Sequence, residues 1–571
     1  MSQSPQASTA WPGMGLLIAW AACMAGLIHA LSLAPATSSW IIWMAATTLI
    51  GAALSYLVWR RPPSKSLWVA CFGIGMLARV LVPIFGQADA LSDDLFRYLF
   101  EGHVVVESRS PFKTAPDSPL LDELSDQQGL AQVRDHINHP QIATVYPPLA
   151  QVLFGVAALI DRGLGGHTKA WQFCALAFEL AILAALWVGL QAATPGRGRA
   201  WFLAYLLSPL PIVEFLLSAH VDVAAVAFLL WAILAQKSQR FHWMWIAICA
   251  SIFVKVLAIF VLPFFICRNS LKPALVVFAA AGIIATAFAY AWLRPYAGEI
   301  KLPTAAEVSI QDSPQWDDLL GRYYVINRPE DGAQLPSPLN FDGRGQLFQD
   351  TGFQLWSQRE LGYYEMSSDG EFVLSLHADP ERKTRVRLSR NRQYLLQVEA
   401  SITGSNDLPE ETRLIAYKRD ESPFMGVRQY SGRWSANAPF FRQMSRDENV
   451  IRAREKRESL QSWIAILVFL LAVFLAWRGV ETLAGITTVL AVLMLAAPVI
   501  YPWYLAWLLP LALMKRRPAL LVMLALCPLL YLNSSDLNAG PQPIEIIVFG
   551  IPLTLAILGM AFRLWQQRSY R

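Results

Sequence analysis

Long apolar runs separated by short polar segments fill most of the 571 residues. A helix of about 20 apolar residues is long enough to cross a bilayer. The pattern predicts about fourteen crossings, with the run 149–160 too short to cross and placed at the interface or in a re-entrant segment. The crossings lie at about 14–33, 39–59, 67–86, 170–191, 199–215, 222–236, 242–267 (a broken pair turning near Lys255), 273–293, 461–478, 482–500, 503–514, 518–533 and 544–563.

Residues 300–430 follow a different pattern. Segments such as Glu371–His377, Thr384–Leu388 and Gln393–Glu399 alternate apolar and polar side chains, which is typical of half-buried strands. Asp369-Gly370 provides a turn between two of them. The pattern predicts a small antiparallel β domain, a sandwich, inserted between apolar runs.

The chain is therefore expected to be a polytopic α-helical membrane protein with three parts. Residues 1–293 form an N-terminal transmembrane module with a large outer loop at 87–145. Residues 294–460 form an extracytoplasmic region that contains the β insert, and residues 461–571 form a C-terminal transmembrane module.

Basic clusters between the runs set the predicted orientation. Short loops rich in Lys and Arg stay on the cytoplasmic side, and three such clusters agree: Arg60-Arg61 with Lys65, Lys237 with Arg240, and Lys515-Arg516-Arg517. Both termini are then cytoplasmic, and the two large polar regions face outward. We expect a multi-pass protein of the cytoplasmic (inner) membrane with its site on the periplasmic or extracytoplasmic face.

Composition supports the membrane class and narrows the function. Hydrophobic residues make up 55% of the chain and charged residues 16%, with a mean hydropathy of +0.38. Soluble domains carry about 25% charged residues, so this chain is depleted. The net charge of +5 is dispersed between the runs, which argues against nucleic acid as a partner. None of the six cysteines falls between Arg294 and Leu460, so no disulfide framework or zinc spacing exists there.

The segment Ser92–His103 directly follows the third predicted crossing and carries two carboxylates, Asp93 and Asp94. Charged groups beside a span boundary are functional candidates. As a helix, the segment would place four side chains at i, i+3, i+4 and i+7 on one face: Asp94, Arg97, Tyr98 and Glu101. A base, a cation and a phenol together suit proton abstraction near an anionic leaving group. The alternative is an ordinary helix start, with Ser92 or Asp93 as N-cap.

Further candidates each have a structural alternative. Lys255 lies in a long apolar run, where it either snorkels to water or meets a lipid phosphate at a helix break. Three polar residues near an outer turn could contact substrate, cap helices or hold a metal, although their spacing is no known ligand signature: Glu214, His220 and Asp222. Four others could contact a sugar: His139, Tyr146, Trp503 and Tyr504. The structural alternative is a hydrogen-bonding role in a loop for His139 and an interfacial position for the three aromatic residues. Glu179 lies within a predicted crossing and requires a partner.

Several sequence blocks together resemble the GT-C fold glycosyltransferases, integral-membrane enzymes that use polyprenyl-phosphate sugars. The similarity is greatest to bacterial mannosyltransferase-like proteins. The blocks are Ser92–His103, Ser110–Pro119, Ile137–Pro140, Thr144–Gln151, Ser208–Leu210 with Glu214 and His220–Asp222, Lys255 with Pro263, Arg433–Asn437 and Pro502–Tyr504. Residues 300–430 have no counterpart in the resemblance, and Ser110 stands where such proteins often carry Asn.

The resemblance implies transfer of a hexose, expected to be mannose, from a polyprenyl-phosphate donor to an extracytoplasmic lipid or glycan hydroxyl. In the GT-C enzymes a carboxylate of the first large outer loop is the catalytic base, and the family motif aligns best with Asp94. Asp93 is then expected to take a supporting role. The expected phosphate-binding residues are Arg97, Lys255 and Arg294. The expected substrate-binding residues are Tyr98, Glu101, His139, Tyr146, Glu214, His220, Asp222, Trp434, Asn437, Trp503 and Tyr504.

A single base without a carboxylate nucleophile implies inversion, so that a β-linked donor gives an α-linked product. We expect no cofactor and leave divalent-metal dependence open. The alternative from another class is a transporter or flippase for a lipid-linked or anionic substrate, since acids, His and Lys within spans also form proton relays. The sequence leaves open the sugar, the acceptor, the polyprenol length, the oligomeric state and the role of the β insert.

Overall fold

A computed structural model gives the backbone of most of the apolar runs and of the strands in the polar region. The structure describes residues 10–33, 39–86, 91–107, 109–112, 116, 121, 124–125, 130–137, 144–164, 169–193, 197–293, 309, 321–325, 339–341, 346–350, 358–367, 371–376, 379–390, 394–397, 413–418, 448–496, 501–532, 544 and 546–559.

The chain divides into two compact units. The first comprises Met1–Leu99, Tyr146–Ile283 and Leu460–Arg571, and the second comprises Phe100–Val145 and Ile284–Ser459. The first unit is helical and the second contains a β-barrel.

The helices follow the apolar runs. Their bounds are α1 Ala10–Leu33, α2 Ser39–Arg60, α3 Lys65–Phe85, α4 Asp94–Val106, α5 Ala131–Asp135, α6 Pro148–Leu164, α7 Lys169–Ala193, α8 Gly198–Leu206, α9 Asp222–Lys237, α10 Phe241–Val254, α11 Leu271–Leu293, α12 Glu448–Trp477, α13 Thr482–Ala496, α14 Pro502–Ala506, α15 Leu508–Lys515 and α16 Pro518–Leu526. Shorter helical segments accompany them: the α-helical turn Pro209–Pro211, the π-helical segments Ile212–Leu217 and Ile546–Gly550, and the 3-10 segments Val256–Phe265, Arg268–Ser270 and Cys527–Leu532.

Four of the described helices are long and apolar enough to cross a membrane, namely α1, α2, α3 and α7. A fifth crossing results if the bent pair Gly198–Leu206 and Pro209–Leu217 counts as one span. Several apolar helices of 10–17 residues follow, including α10, α13 and the segment Ile546–Gly559. These helices indicate a membrane protein, while the total of fourteen crossings stays a prediction.

Three predicted crossings contain breaks. The run 199–215, expected to be continuous, bends by 41° after Leu206. Ser208 is extended there and Pro209 follows, so the proline cannot donate the backbone hydrogen bond of a continuous helix. The run 242–267 breaks at Lys255, as the sequence predicted, where the backbone is extended with φ −146° and ψ 118°. The run 503–514, expected as one helix, is divided into α14 and α15 at Trp507.

A buried ion pair joins α3 and α7. Arg79 Nε lies 3.0 Å from Glu179 Oε1, and both side chains are fully buried. The Tyr205 hydroxyl donates to Glu179 Oε2 at 2.9 Å, and an Arg79 guanidinium N–H donates to the Leu206 carbonyl at 2.6 Å. Glu179 therefore has the partner that its place in an apolar run requires. The network also fixes the carbonyl end of α8, directly before the bend.

Eight antiparallel strands of the second unit form a closed barrel in sequence order. They are β1 Gly321–Val325, β2 Leu339–Phe341, β3 Gln346–Asp350, β4 Gln358–Met366, β5 Phe372–Leu376, β6 Asp379–Leu388, β7 Tyr394–Gln397 and β8 Arg413–Lys418. β1 pairs with β8 through Tyr323 and Lys418, which closes the sheet. The predicted sandwich is therefore wrong, because alternation reveals which side chains are buried and leaves open which strands pair.

The barrel core follows the alternation of its strands. Phe372 and Leu374 on β5 are buried, as are Val386 and Leu388 on β6. At Gly362 on β4, a Cβ atom would lie 2.0 Å from the Ser375 carbonyl oxygen, so this close strand approach requires glycine.

Candidate active site

A distorted helical turn and the residues directly after it carry two of the candidate residues, Glu214 and His220. Ile212–Leu217 is wound as a π-helix, a form that occurs frequently at functional sites. The His220 N–H donates to the Glu214 carbonyl at 3.1 Å, and Ala219 between them has a left-handed φ of 51°. Trp171 at the start of α7 holds this strained residue by donating its indole N–H to the Ala219 carbonyl at 2.6 Å. Such strain persists only where surrounding structure enforces it.

The start of α4 presents Asp94 to the same place. The Ser92 hydroxyl accepts from the Asp94 N–H at 3.3 Å, and the Asp93 carbonyl accepts from the Phe96 N–H at 3.1 Å. The helix start predicted as the ordinary alternative is thus formed by Ser92 and Asp93. The Asp94 carboxylate instead accepts from the Tyr98 hydroxyl at 3.3 Å, one turn along the predicted face.

His220 lies between two carboxylates. Its Nδ1 is 3.5 Å from Asp94 Oδ2, and its Nε2 is 3.7 Å from Glu214 Oε2. The ring is fully buried and stacks on Trp503 with centroids 4.2 Å apart. Glu214 accepts from the Tyr531 hydroxyl at 3.1 Å on its far side. An imidazole in this position can hold a proton between the two acids and orient the Asp94 carboxylate.

Lys255 and Asp222 form the second charged pair. Lys255 Nζ lies 3.1 Å from Asp222 Oδ2, and Asp222 Oδ1 accepts from the Trp507 indole at 2.8 Å. The backbone is extended at Lys255, between the end of α10 and the helical segment that begins at Val256, so the Lys255 side chain does not lie within a continuous helix. Its ammonium group lies over the rings of Tyr504 and Tyr146, at 5.2 and 5.8 Å. The Lys255 side chain is 21% exposed, so its remaining donors can reach an anion.

An aromatic cluster fixes the position of Tyr98. Its ring stacks on Phe154 with centroids 4.6 Å apart and meets Tyr146 and Trp171 edge to face. The Tyr146 hydroxyl lies 3.5 Å from the Tyr98 hydroxyl. Because contacts with α6 and α7 hold the Tyr98 ring, its hydroxyl is a preorganised donor to the Asp94 carboxylate.

The charges around Asp94 keep it ionised. Burial opposes ionisation, but the hydrogen-bonding contact and charge of His220, with the charges of Lys255 and Arg97, together lower the pKa of Asp94 below its ordinary value of 3.8. Burial, followed by the negative charge of Asp94, raises the pKa of Tyr98 well above 10. At neutral pH the carboxylate therefore accepts and the phenol donates.

The structure brings ten of the predicted site residues into one cluster in the first unit. They are Asp94, Arg97, Tyr98, Tyr146, Glu214, His220, Asp222, Lys255, Trp503 and Tyr504. Asp93 is at the start of α4 beside it. Glu101 belongs to the second unit, where it is 2% exposed and accepts from the Thr144 hydroxyl at 2.6 Å. Four predicted residues lie outside the described part of the chain: His139, Arg294, Trp434 and Asn437.

Sequence reasoning missed several members of the cluster. Tyr531 and Trp507 contact Glu214 and Asp222 across 317 and 285 residues of chain, and Trp171 anchors the strained turn. Each lies in or beside an apolar run, where Trp and Tyr are ordinary interfacial residues. No local signal separates them from such residues.

Within the described residues, no group of three or more His, Cys, Asp or Glu side chains is arranged to hold a metal ion. Asp94, His220 and Glu214 form a row in space with the imidazole between the two acids, so their side chains do not converge on one point.

Comparison with known proteins gives one family. Residues 144–334 match the family model of glycosyltransferase family 87. The match covers about a third of the chain and contains Glu214, His220, Asp222 and Lys255, while Asp94 precedes it. Searches of curated proteins and of solved structures gave no match. The family match indicates a glycosyltransferase, and the apolar helices indicate that it is membrane-bound.

Proposed function

We propose that the chain transfers a hexose, mannose, from a polyprenyl-phosphate donor to an acceptor hydroxyl, with Asp94 as the catalytic base. The observation that carries the proposal is the difference in exposure among the three clustered carboxylates. The Asp94 side chain is 29% exposed, whereas those of Glu214 and Asp222 are fully buried. A base must reach the proton that it removes, and Asp94 is the member of this trio that can.

The chemistry is a direct displacement at the anomeric carbon. The acceptor oxygen forms the new bond to that carbon as its proton passes to the Asp94 carboxylate. The bond from the anomeric carbon to the phosphate oxygen breaks, and the polyprenyl phosphate leaves with the electron pair. Glu214 and Asp222, the other two described carboxylates of the cluster, are buried and paired, so neither is placed as a nucleophile, which supports inversion.

Lys255 would bind the leaving phosphate. Its ammonium is held by Asp222, which in turn is fixed by Trp507, so the cation is positioned before substrate arrives. Preorganised donors of this kind stabilise charge that develops as a bond breaks. Arg97 contributes a second positive charge near Asp94. Arg294 remains part of the proposal from sequence.

His220 and Glu214 would act through Asp94 rather than on the substrate. His220 is fully buried beneath Trp503, and Glu214 is buried behind it. This arrangement holds the Asp94 carboxylate in one orientation. Trp503 and Tyr504, which are partly exposed, supply aromatic faces suited to a sugar ring.

The remaining parts of the proposal come from the predicted topology. The site faces the periplasmic or extracytoplasmic side of the inner membrane, and the acceptor is a lipid or glycan of the cell envelope. The β-barrel would select or position this acceptor.

The test uses the purified full-length chain in lipid nanodiscs with β-linked polyprenyl-phosphate mannose carrying a radiolabel. Transfer of the label to an added alcohol or glycan acceptor, with an α-linked product, supports the proposal. A β-linked product would exclude inversion. Label that crosses the bilayer of proteoliposomes without cleavage would instead identify a transporter or flippase.

A further inference from the structure

A cavity of about 530 Å³ lies within the first unit, apart from the Asp94 cluster. Its walls come from α2, α8, α15 and α16. Apolar and small residues line it, among them Gly51, Ala204, Leu513 and Leu524. Its inner end reaches Leu207 and Ser208, where the span bends.

The basic residues that line the cavity lie at the end of the helices opposite Asp94. Lys169 Nζ donates to the Gly86 carbonyl at 2.7 Å, so the start of α7 and the end of α3 lie together on the Asp94 side. At the other end of the same helices, Arg199 lies over the ring of Trp68 at 5.6 Å. Arg197 and Trp59 both line the cavity, and the Arg197 guanidinium lies 4.9 Å from the centre of the Trp59 ring. These two residues place the basic part of the cavity at this second end.

The rim of the cavity is cationic and aromatic. Arg197 and Arg516 line it and are exposed, and Tyr56 beside them accepts from Arg60 Nε at 2.7 Å. Arg516 occupies the residue after α15 with a left-handed φ of 52°, a helix-end position where glycine is usual. The chain thus places an arginine at this rim despite an unfavourable backbone conformation.

We infer that this cavity binds one anionic phospholipid, with an acyl chain in the apolar interior and the phosphate at Arg197 and Arg516. Basic pockets between membrane helices bind the head groups of anionic lipids in this way. The charge of the rim favours an anionic over a zwitterionic lipid, while the apolar interior accepts the chain of either. The inference is independent of the proposed transfer reaction, because no residue of the Asp94 cluster lines the cavity.

The test measures lipid adducts on the full-length chain in detergent by native mass spectrometry. Phosphatidylglycerol and phosphatidylcholine with identical acyl chains are added in equal amounts. We expect phosphatidylglycerol to be preferred, and Arg197→Gln with Arg516→Gly to reduce its binding about tenfold or more. Gly suits the left-handed backbone at 516, so this change removes the charge while keeping the local fold.

Two further variants locate the lipid. Ala204→Phe, which fills the interior, should reduce binding of both lipids. Lys237→Gln removes an exposed charge at the end of α9 away from the cavity and should change neither. Equal binding of the two lipids to the native chain would overturn the inference, as would unchanged occupancy in Ala204→Phe. An effect of Lys237→Gln equal to that of the double variant would also overturn it. If the double variant does not fold, the ratio of phosphatidylglycerol to phosphatidylcholine adducts is measured on Arg516→Gly alone. A ratio equal to that of the native chain would then overturn the inference.

Discussion

His220 Nδ1 lies 3.5 Å from the Asp94 carboxylate, although α4 and the strained turn at Ala219 are more than a hundred residues apart in the chain. The contact depends on a non-glycine residue in a left-handed conformation, fixed by the Trp171 indole. It joins the exposed acid to a buried imidazole and, through it, to Glu214.

The first prediction concerns the pH dependence of transfer. With native His220, the pKa of Asp94 is below 3.8, so the acid limb of kcat/KM due to this residue should lie below about pH 4. His220→Gln removes the first of the groups that oppose the effect of burial, so the pKa of Asp94 should rise and the limb should move to higher pH. Measurement of kcat/KM from about pH 3 to 8 in both proteins checks this, and an acid limb at the same pH in both would refute the coupling.

The same pKa shift has a consequence for stability. Because the pKa of folded Asp94 is depressed, its ionisation stabilises the native state above about pH 3.8, and this contribution is lost as the pH falls through the folded value. In His220→Gln, the contribution should be smaller, and Tm at neutral pH should approach that of Asp94→Asn. A large remaining Tm difference between these two variants would argue against His220 as the main partner.

Lys255 should govern affinity for the donor. Lys255→Met leaves Asp222 buried without its cation, so the matched comparison is Asp222→Asn against Lys255→Met with Asp222→Asn. A hydrogen bond to a charged group contributes about 1.5–3 kcal/mol, so the double variant should raise the donor KM about 10- to 150-fold over Asp222→Asn. Equal donor KM values in the two variants would make Lys255 a structural residue.

The pair Arg79 and Glu179 should be structural. Both side chains are fully buried, so Arg79→Met should destabilise the protein by about 3–5 kcal/mol, because it leaves an unpaired buried carboxylate. Arg79→Met with Glu179→Gln should recover at least half of that loss. Unfolding by sodium dodecyl sulfate in mixed micelles measures both, and a double variant no more stable than the single one would contradict this reading.

The sequence predicted the individual helices of the site better than the contacts between them. The spacing of Asp94 and Tyr98 follows from helix geometry and was predicted. The break at Lys255 was also predicted, because it keeps Arg268 and Lys272 on the cytoplasmic side. The contacts of Tyr531 with Glu214 and of Trp507 with Asp222 depend on how α14, α15 and the last helices pack, which no local pattern encodes. The barrel differs from the predicted sandwich for the same reason: pairing of β1 with β8 is a long-range relationship.

The central claim, that Asp94 is the base, is tested most directly by single-turnover transfer from polyprenyl-phosphate mannose by purified Asp94→Asn. General-base catalysis contributes about 10²–10⁴-fold, so the rate should fall at least about 100-fold while donor binding persists. Asp93→Asn is the matched control, since its backbone carbonyl begins α4 and a change of its side chain should cost much less. Near-native transfer by Asp94→Asn, or an equal loss in Asp93→Asn, would contradict the assignment.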